Sequence, residues 1–239
     1  MIELIHRYPI LIKALLALVT ITFIGTGGWI LNAEKKSEFA AMVGDRKVTI
    51  QEYQEAVART EDLYRKIYQG NLTDDMMKKL EPNKRAIEAL VDKQLILLAA
   101  EKEGISVSTD ELEKMVWDNP SFKGKDGRFS KDRYVQLLKD NGMSPGQYER
   151  SLREEMTIEK FRKLVKGSVY VTEAEVRDFY AAQMKAQNKP FSEEDFKSKI
   201  AELTRSYMLV AQDKTMNSFM EGLKKNFKVE INPDILKQS

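Results

Sequence analysis

Residues Ala86 to Gly104 read AIEALVDKQLILLAAEKEG. Ile87, Leu90, Val91, Leu95, Leu98 and Ala99 fall at the i, i+3, i+4, i+7 recurrence of one helical face, and Ile96 and Leu97 widen that face to most of the circumference. A helix that is apolar nearly all round must be covered from several sides, so this stretch is expected to be the central core helix with other helices packed on it. Gly104 supplies the left-handed position that ends it. A buried strand at Leu95 to Ala100 is the competing reading. The length of the run and its Ala, Glu and Lys flanks favour the helix.

Nothing else downstream of residue 38 is as apolar, and composition narrows the function. With 42% apolar and 32% charged residues, the 239-residue chain has the make-up of a folded, strongly helical protein of one or two domains. The formal net charge is +2, and Lys and Arg are interleaved with Asp and Glu, which excludes a dedicated nucleic-acid surface. There are no cysteines, hence no disulfides, thiolate metal sites or thiol nucleophiles. The single histidine, His6, lies at the extreme N-terminus, which excludes histidine-based acid/base chemistry and His-ligated zinc from the rest. No cofactor and no metal are expected.

Ahead of the folded region, Arg7 and Lys13 face one acid, Glu3, and Ala14 to Leu31 runs without a charge. With Tyr8 to Ile12 added and Lys13 snorkelling, the stretch approaches the roughly 20 residues that cross a bilayer. The expected organisation is a cytoplasmic tail at 1–7, a transmembrane signal anchor at 8–31 and a linker at 32–38, with the bulk of the chain exported. A cleavable signal peptide competes, but its apolar region is about 7 to 15 residues and Leu31-Asn32-Ala33 is a poor cleavage site.

Downstream of the linker, Phe39 to Val48 reads as two short strands about Gly44-Asp45. Thr49 with Glu52, Ser108 with Glu111, Ser144 with Gln147 and Thr172 with Glu175 each have the spacing of a helix capping box, and Ser130 caps a further helix. Asn71 to Asn83 reads as a polar connection holding Met76 and Met77. Asn119 to Phe129, NPSFKGKDGRF, reads as a loop pinned by Phe122 and Phe129. Gln183 to Pro190 reads as a polar joint. From Ser192 the apolar pattern predicts a helix of about 30 residues, over 192–226, too long for one small bundle to cover. Lys228 to Asn232 alternates as a closing strand whose partner is Ala40 to Val43 or Lys47 to Ile50.

This succession resembles the N-terminal chaperone domain shared by the periplasmic folding factors SurA and PpiD, a layout similar to the binding domain of trigger factor. The resemblance rests on Met42 to Thr49, Leu90 to Ala99, Gly104 to Ser108, Asn119 to Phe122, Gly127 to Ser130 with Tyr134 and Leu138, Gly142 to Ser144 with Tyr148, Leu152 and Arg153, and Val171 to Val176. It implies a mostly α fold over 39–239 with a small β element pairing N- and C-terminal strands, so that the long helix and the closing strand return to the start of the domain. The expected anchor makes the chain more similar to PpiD. In that family a parvulin prolyl-isomerase domain follows the segment matching Val171 to Tyr180; here only the polar joint stands there, and the histidines of parvulin sites are missing.

The resemblance implies a membrane-anchored, ATP-independent periplasmic chaperone of the bacterial inner membrane, without isomerase activity. It would bind unfolded or newly secreted polypeptides in outer membrane protein biogenesis, with the secretion channel as a further partner. Candidate client contacts are Tyr64, Tyr68, Met76, Met77, Met115, Trp117 and Phe122, since Met is adaptable and aromatic rings combine an apolar face with a polar edge. The competing readings are an adaptor dedicated to one secretion or envelope complex and, disfavoured, an isomerase. The paired acids Asp74-Asp75 and Glu193-Glu194-Asp195 sit at helix starts, where the dipole accounts for them.

Overall fold

The computed structural model describes residues 39–69 and 71–236. The expected tail at 1–7, anchor at 8–31 and linker at 32–38 lie outside the described residues. Strands β1 (Phe39–Val43) and β2 (Arg46–Thr49) form a hairpin, followed by α1 (Ile50–Tyr68), α2 (Asp74–Leu80), α3 (Pro82–Lys102) and α4 (Thr109–Asp118). A 3-10 turn at Pro120–Phe122 leads to α5 (Lys131–Asp140), α6 (Pro145–Gly167), α7 (Glu173–Ala186), α8 (Glu193–Asn226), β3 (Val229–Ile231) and α9 (Pro233–Leu236). Among the described residues, no helix is long and apolar enough to cross a membrane.

The quoted stretch is α3, and it is the core. Ile87, Val91, Leu95, Ile96, Leu97, Ala99 and Ala100 are all buried, and Pro82 occupies the helix start, where its missing N–H is harmless. Covering it are α1, the sheet, the C-terminal half of α6 through Ile158 and Phe161, the end of α8 through Leu223, and Ile235. The closing strand chooses β1: Ala41 pairs with Ile231 and Val43 with Val229, antiparallel, giving the order β2-β1-β3. Ala40 and Ala41 are both fully buried, so the central strand is covered on its two faces.

Capping explains why the helices start where they do. All four expected boxes are closed, side chain to backbone in both directions, at Thr49, Ser108, Ser144 and Thr172. Two connections differ from expectation. Within 71–83 the chain forms the seven-residue helix α2, capped by the Thr73 hydroxyl on the Met76 N–H; it buries no residue, and so lacks the apolar period that reveals a helix in sequence. At 183–190, α7 continues through Ala186 and leaves a shorter reversal.

Two smaller clusters branch from the main core. One gathers Val171, Val176 and Tyr180 against Phe196 and Leu203 on the first half of α8. At 34 residues, roughly 50 Å, α8 therefore joins two cores rather than lying on one. The other cluster gathers Val116, Phe122, Tyr134 and Leu138 against Tyr148 and Leu152 on the first half of α6.

Candidate functional site

The third cluster is built on contacting aromatic rings, and a cleft opens on it. Phe122 meets Tyr134 edge-on at 4.8 Å between ring centroids and Tyr148 at 5.5 Å, and Tyr134 lies 6.0 Å from Tyr148. Phe129 extends the group, 5.7 Å from Tyr134 and 6.4 Å from Trp117. Edge-on aromatic contacts stabilise such a group beyond the area it buries. The loop that carries Phe122 and Phe129 is held by backbone and side-chain bonds. Ser130 N–H donates to the Phe122 carbonyl at 2.9 Å, Arg133 Nε to the Ser121 carbonyl at 2.8 Å, and Ser121 N–H to Asn119 Oδ1 at 3.0 Å.

Above this floor, α4, α5 and the start of α6 enclose a cleft of about 340 Å³. Helix α4 supplies Thr109, Leu112, Glu113, Val116 and Trp117, the i, i+3, i+4, i+7, i+8 stripe of a single face. Across from it stand Phe129, Lys131, Tyr134, Val135, Pro145, Glu149 and Arg153. Trp117 is 52% exposed and Val135 41%, so the rim presents apolar surface to solvent while the floor is closed. Tyr134 donates its hydroxyl proton to Glu149 Oε1 at 3.2 Å. Burial, followed by the nearby Glu149 charge, pushes the Tyr134 phenol far above its usual range, so it stays a neutral donor.

A second cleft, of about 440 Å³, lies where Gly104 to Val107 leaves α3, bordered by Arg46, Leu97, Glu101, Glu154 and Thr157. Arg153 borders this cleft as well as the first. Two cations of α6 hold the α4 wall: Arg153 Nη1 donates to the Val107 carbonyl, and Lys160 Nζ donates to the Ser106 carbonyl at 2.9 Å and to Glu111 Oε2 at 2.7 Å. That Lys160 bond, together with the Ser108 cap, holds the Glu111 carboxyl below the usual carboxylate range.

The structure separates the candidate contact residues. Trp117 lines the aromatic cleft. Phe122, expected to touch a client, is only 3% exposed and does not border the cleft; it lies in the aromatic cluster beneath the floor, buried because the short 3-10 turn drives its ring between Tyr134 and Tyr148. Met115 is exposed on α4 but off the stripe that lines the cleft. Tyr64, Tyr68, Met76 and Met77 are half-buried on α1 and α2. Of these, Met77 borders a separate hollow with Glu61, Arg65, Leu72, Thr73 and Asp74. Val135, Pro145, Glu149 and Arg153 were not singled out as contacts by sequence reasoning. The available signal was the density of aromatic residues between Trp117 and Tyr148, which outlines one cluster.

Among the described residues, no group of His, Cys, Asp or Glu could hold a metal ion. What the cleft offers is an apolar floor, a half-exposed indole, a neutral phenol and charges of both signs, which is equipment for holding a flexible apolar segment.

The profile of the SurA-like N-terminal domain matches residues 1–162. The chain belongs to the SurA-like N-terminal domain family. The match takes in the main core helix, α4, α5, both clefts and most of α6, while α7, α8 and β3 lie beyond it. Two relatives, each named periplasmic chaperone PpiD, from Escherichia coli K12 and from Escherichia coli O6:H1, are 22% identical over 179 residues. Those alignments cover 72% of this chain and 28% of each relative, so the chain spans under a third of their length. A solved structure reported in a study of PEB4 and Cj1289, two structurally related SurA-like chaperones of Campylobacter jejuni, gives a TM-score of 0.49 at 10% identity, over 82% of this chain and 100% of the other.

Proposed function

We propose that this SurA-like domain is an ATP-independent chaperone that holds unfolded or newly exported polypeptides, tethered by residues 8–31 to the inner membrane with its bulk in the periplasm. The observation that carries the reading is the open aromatic cleft with Trp117 and Val135 half exposed at its rim. An apolar hollow edged by mixed charge binds many sequences weakly, because burial of apolar surface is non-directional. The name of the PpiD relatives supports the same reading. On this reading the chain works by binding a client and not by isomerising it; its single histidine, His6, lies ahead of the described residues.

The test is aggregation of a chemically unfolded client in the presence of the 239-residue chain in mild detergent, without nucleotide. Suppression at near-equimolar ratio is the expected result, weakened by Trp117→Ser and by Val135→Asp. Suppression left undiminished by both substitutions would move the binding surface elsewhere. No suppression at all, with crosslinking to one dominant partner, would make the chain an adaptor.

A further inference from the structure

The two clefts share their walls. On one side, Pro145, Glu149, Arg153 and Thr157 lie on a single i, i+4 ridge of α6, the first three bordering the aromatic cleft and the last two the second cleft. On the other side runs the uninterrupted segment 104–117, whose loop borders the second cleft and whose helix borders the first. Among the described residues, Arg153 alone borders both clefts, reaching across to the Val107 carbonyl.

We propose that the two clefts form one track for an extended, uncharged stretch of polypeptide, with Arg153 as the donor that meets its backbone at the midpoint; this rests on the chaperone reading above. From Pro145 to Thr157 the ridge is roughly 18 Å long at 1.5 Å per residue, the span of about five or six extended residues. A guanidinium has five N–H donors, and among the described residues Arg153 has one acceptor, Val107. The complementary group is a peptide carbonyl with no partner of its own. A helical client has already committed its carbonyls internally, whereas an extended one offers them. The other charges along the track are mixed in sign: Arg46 is paired with Glu101 at 2.8 Å, and Lys131 stands among Glu113 and Glu149. A neutral stretch therefore meets no unmatched field of one sign.

Because the chain has no cysteine, single reactive probes can be placed cleanly. Ser106→Cys in the second cleft, Val135→Cys in the aromatic cleft and Leu209→Cys on exposed α8 are each labelled with a benzophenone. The full chain is then irradiated with carboxymethylated α-lactalbumin as the unfolded client. The expected result is capture from Ser106→Cys and Val135→Cys at client positions within about ten residues of each other, as an extended chain along one track requires, and little capture from Leu209→Cys. Arg153→Gln is expected to weaken client binding about tenfold, the worth of a charge-assisted hydrogen bond, with Arg153→Lys intermediate. Capture from Val135→Cys alone, or from both at unrelated client positions, overturns the track and leaves the chaperone reading standing. Capture from neither position, with aggregation still suppressed, overturns the track and the aromatic cleft as the client site. An unchanged affinity in Arg153→Gln overturns the role given to the guanidinium.

Discussion

Tyr53 Oη donates to the carbonyl oxygen of Ile235 at 3.3 Å, joining residues 182 positions apart. Together with the β1–β3 ladder, this bond fastens the last described turn to the first helix over the top of the core. Tyr53 is 6% exposed, so removing its hydroxyl leaves a buried carbonyl without a donor. Tyr53→Phe is expected to lower stability by about 1 kcal/mol, read from the midpoint of urea unfolding. No change would mean that water replaces the phenol.

The buried phenol of the aromatic cleft gives a pH dependence of definite sign. Tyr134 titrates near pH 10 when unfolded and well above that when folded, because of burial and then Glu149. Below pH 10 both states carry the proton and the contribution is intact. As pH rises past 10 the unfolded state loses its proton while the folded state keeps it, so stability falls. Melting temperature is expected to decline from about pH 10 upward, and less steeply in Tyr134→Phe. An equal decline in the two proteins would place the alkaline sensitivity elsewhere.

How much of this was legible in the sequence depends on what each feature is made of. Ile87 to Ala100 announces itself because apolar period and helix propensity agree. The caps at Thr49, Ser108, Ser144 and Thr172 are readable because both partners lie within three residues. Helix α2 escaped because a seven-residue helix with nothing buried has no pattern, only the Thr73 cap. The cleft was half legible. Trp117 and Phe122 are five residues apart and read alike as contacts in the sequence, yet one is 52% exposed and the other 3%. What separates them is the packing of Tyr134 and Tyr148 around Phe122, which is long-range information. Arg153 likewise reads as a routine helix surface residue until Val107 is placed beside it.

That division between floor and rim predicts opposite mutant behaviour. Phe122→Ala empties the centre of the third cluster and is expected to cost about 3 to 5 kcal/mol, with client binding lost through the collapse of the cleft. Trp117→Ala removes a half-exposed ring and is expected to change stability by no more than about 1 kcal/mol while weakening client binding. Denaturant unfolding and client titration on the two variants check this. A Trp117→Ala protein as unstable as Phe122→Ala would make the indole a core residue.

The hairpin at the head of the domain depends on Gly44. It sits at φ +60 as the first of two turn residues between β1 and β2, the only one of the pair with positive φ, which is what a type II′ turn requires. Its backbone also crosses the core helix closely: a Cβ built there comes 3.2 Å from Leu98 Cδ1. Gly44 N–H donates to the Lys228 carbonyl at 2.8 Å, so the same residue that turns the hairpin also receives the closing strand. Gly44→Ala therefore meets a left-handed backbone penalty of about 1 to 2 kcal/mol, and any shift that relieves the Leu98 contact disturbs the β1–β3 register. Hydrogen exchange is expected to rise at Val43 and Val229 along with the loss of global stability, because the strain lies where the two ends of the domain meet. Loss of global stability without local exchange at Val229 would separate the turn from the closing strand.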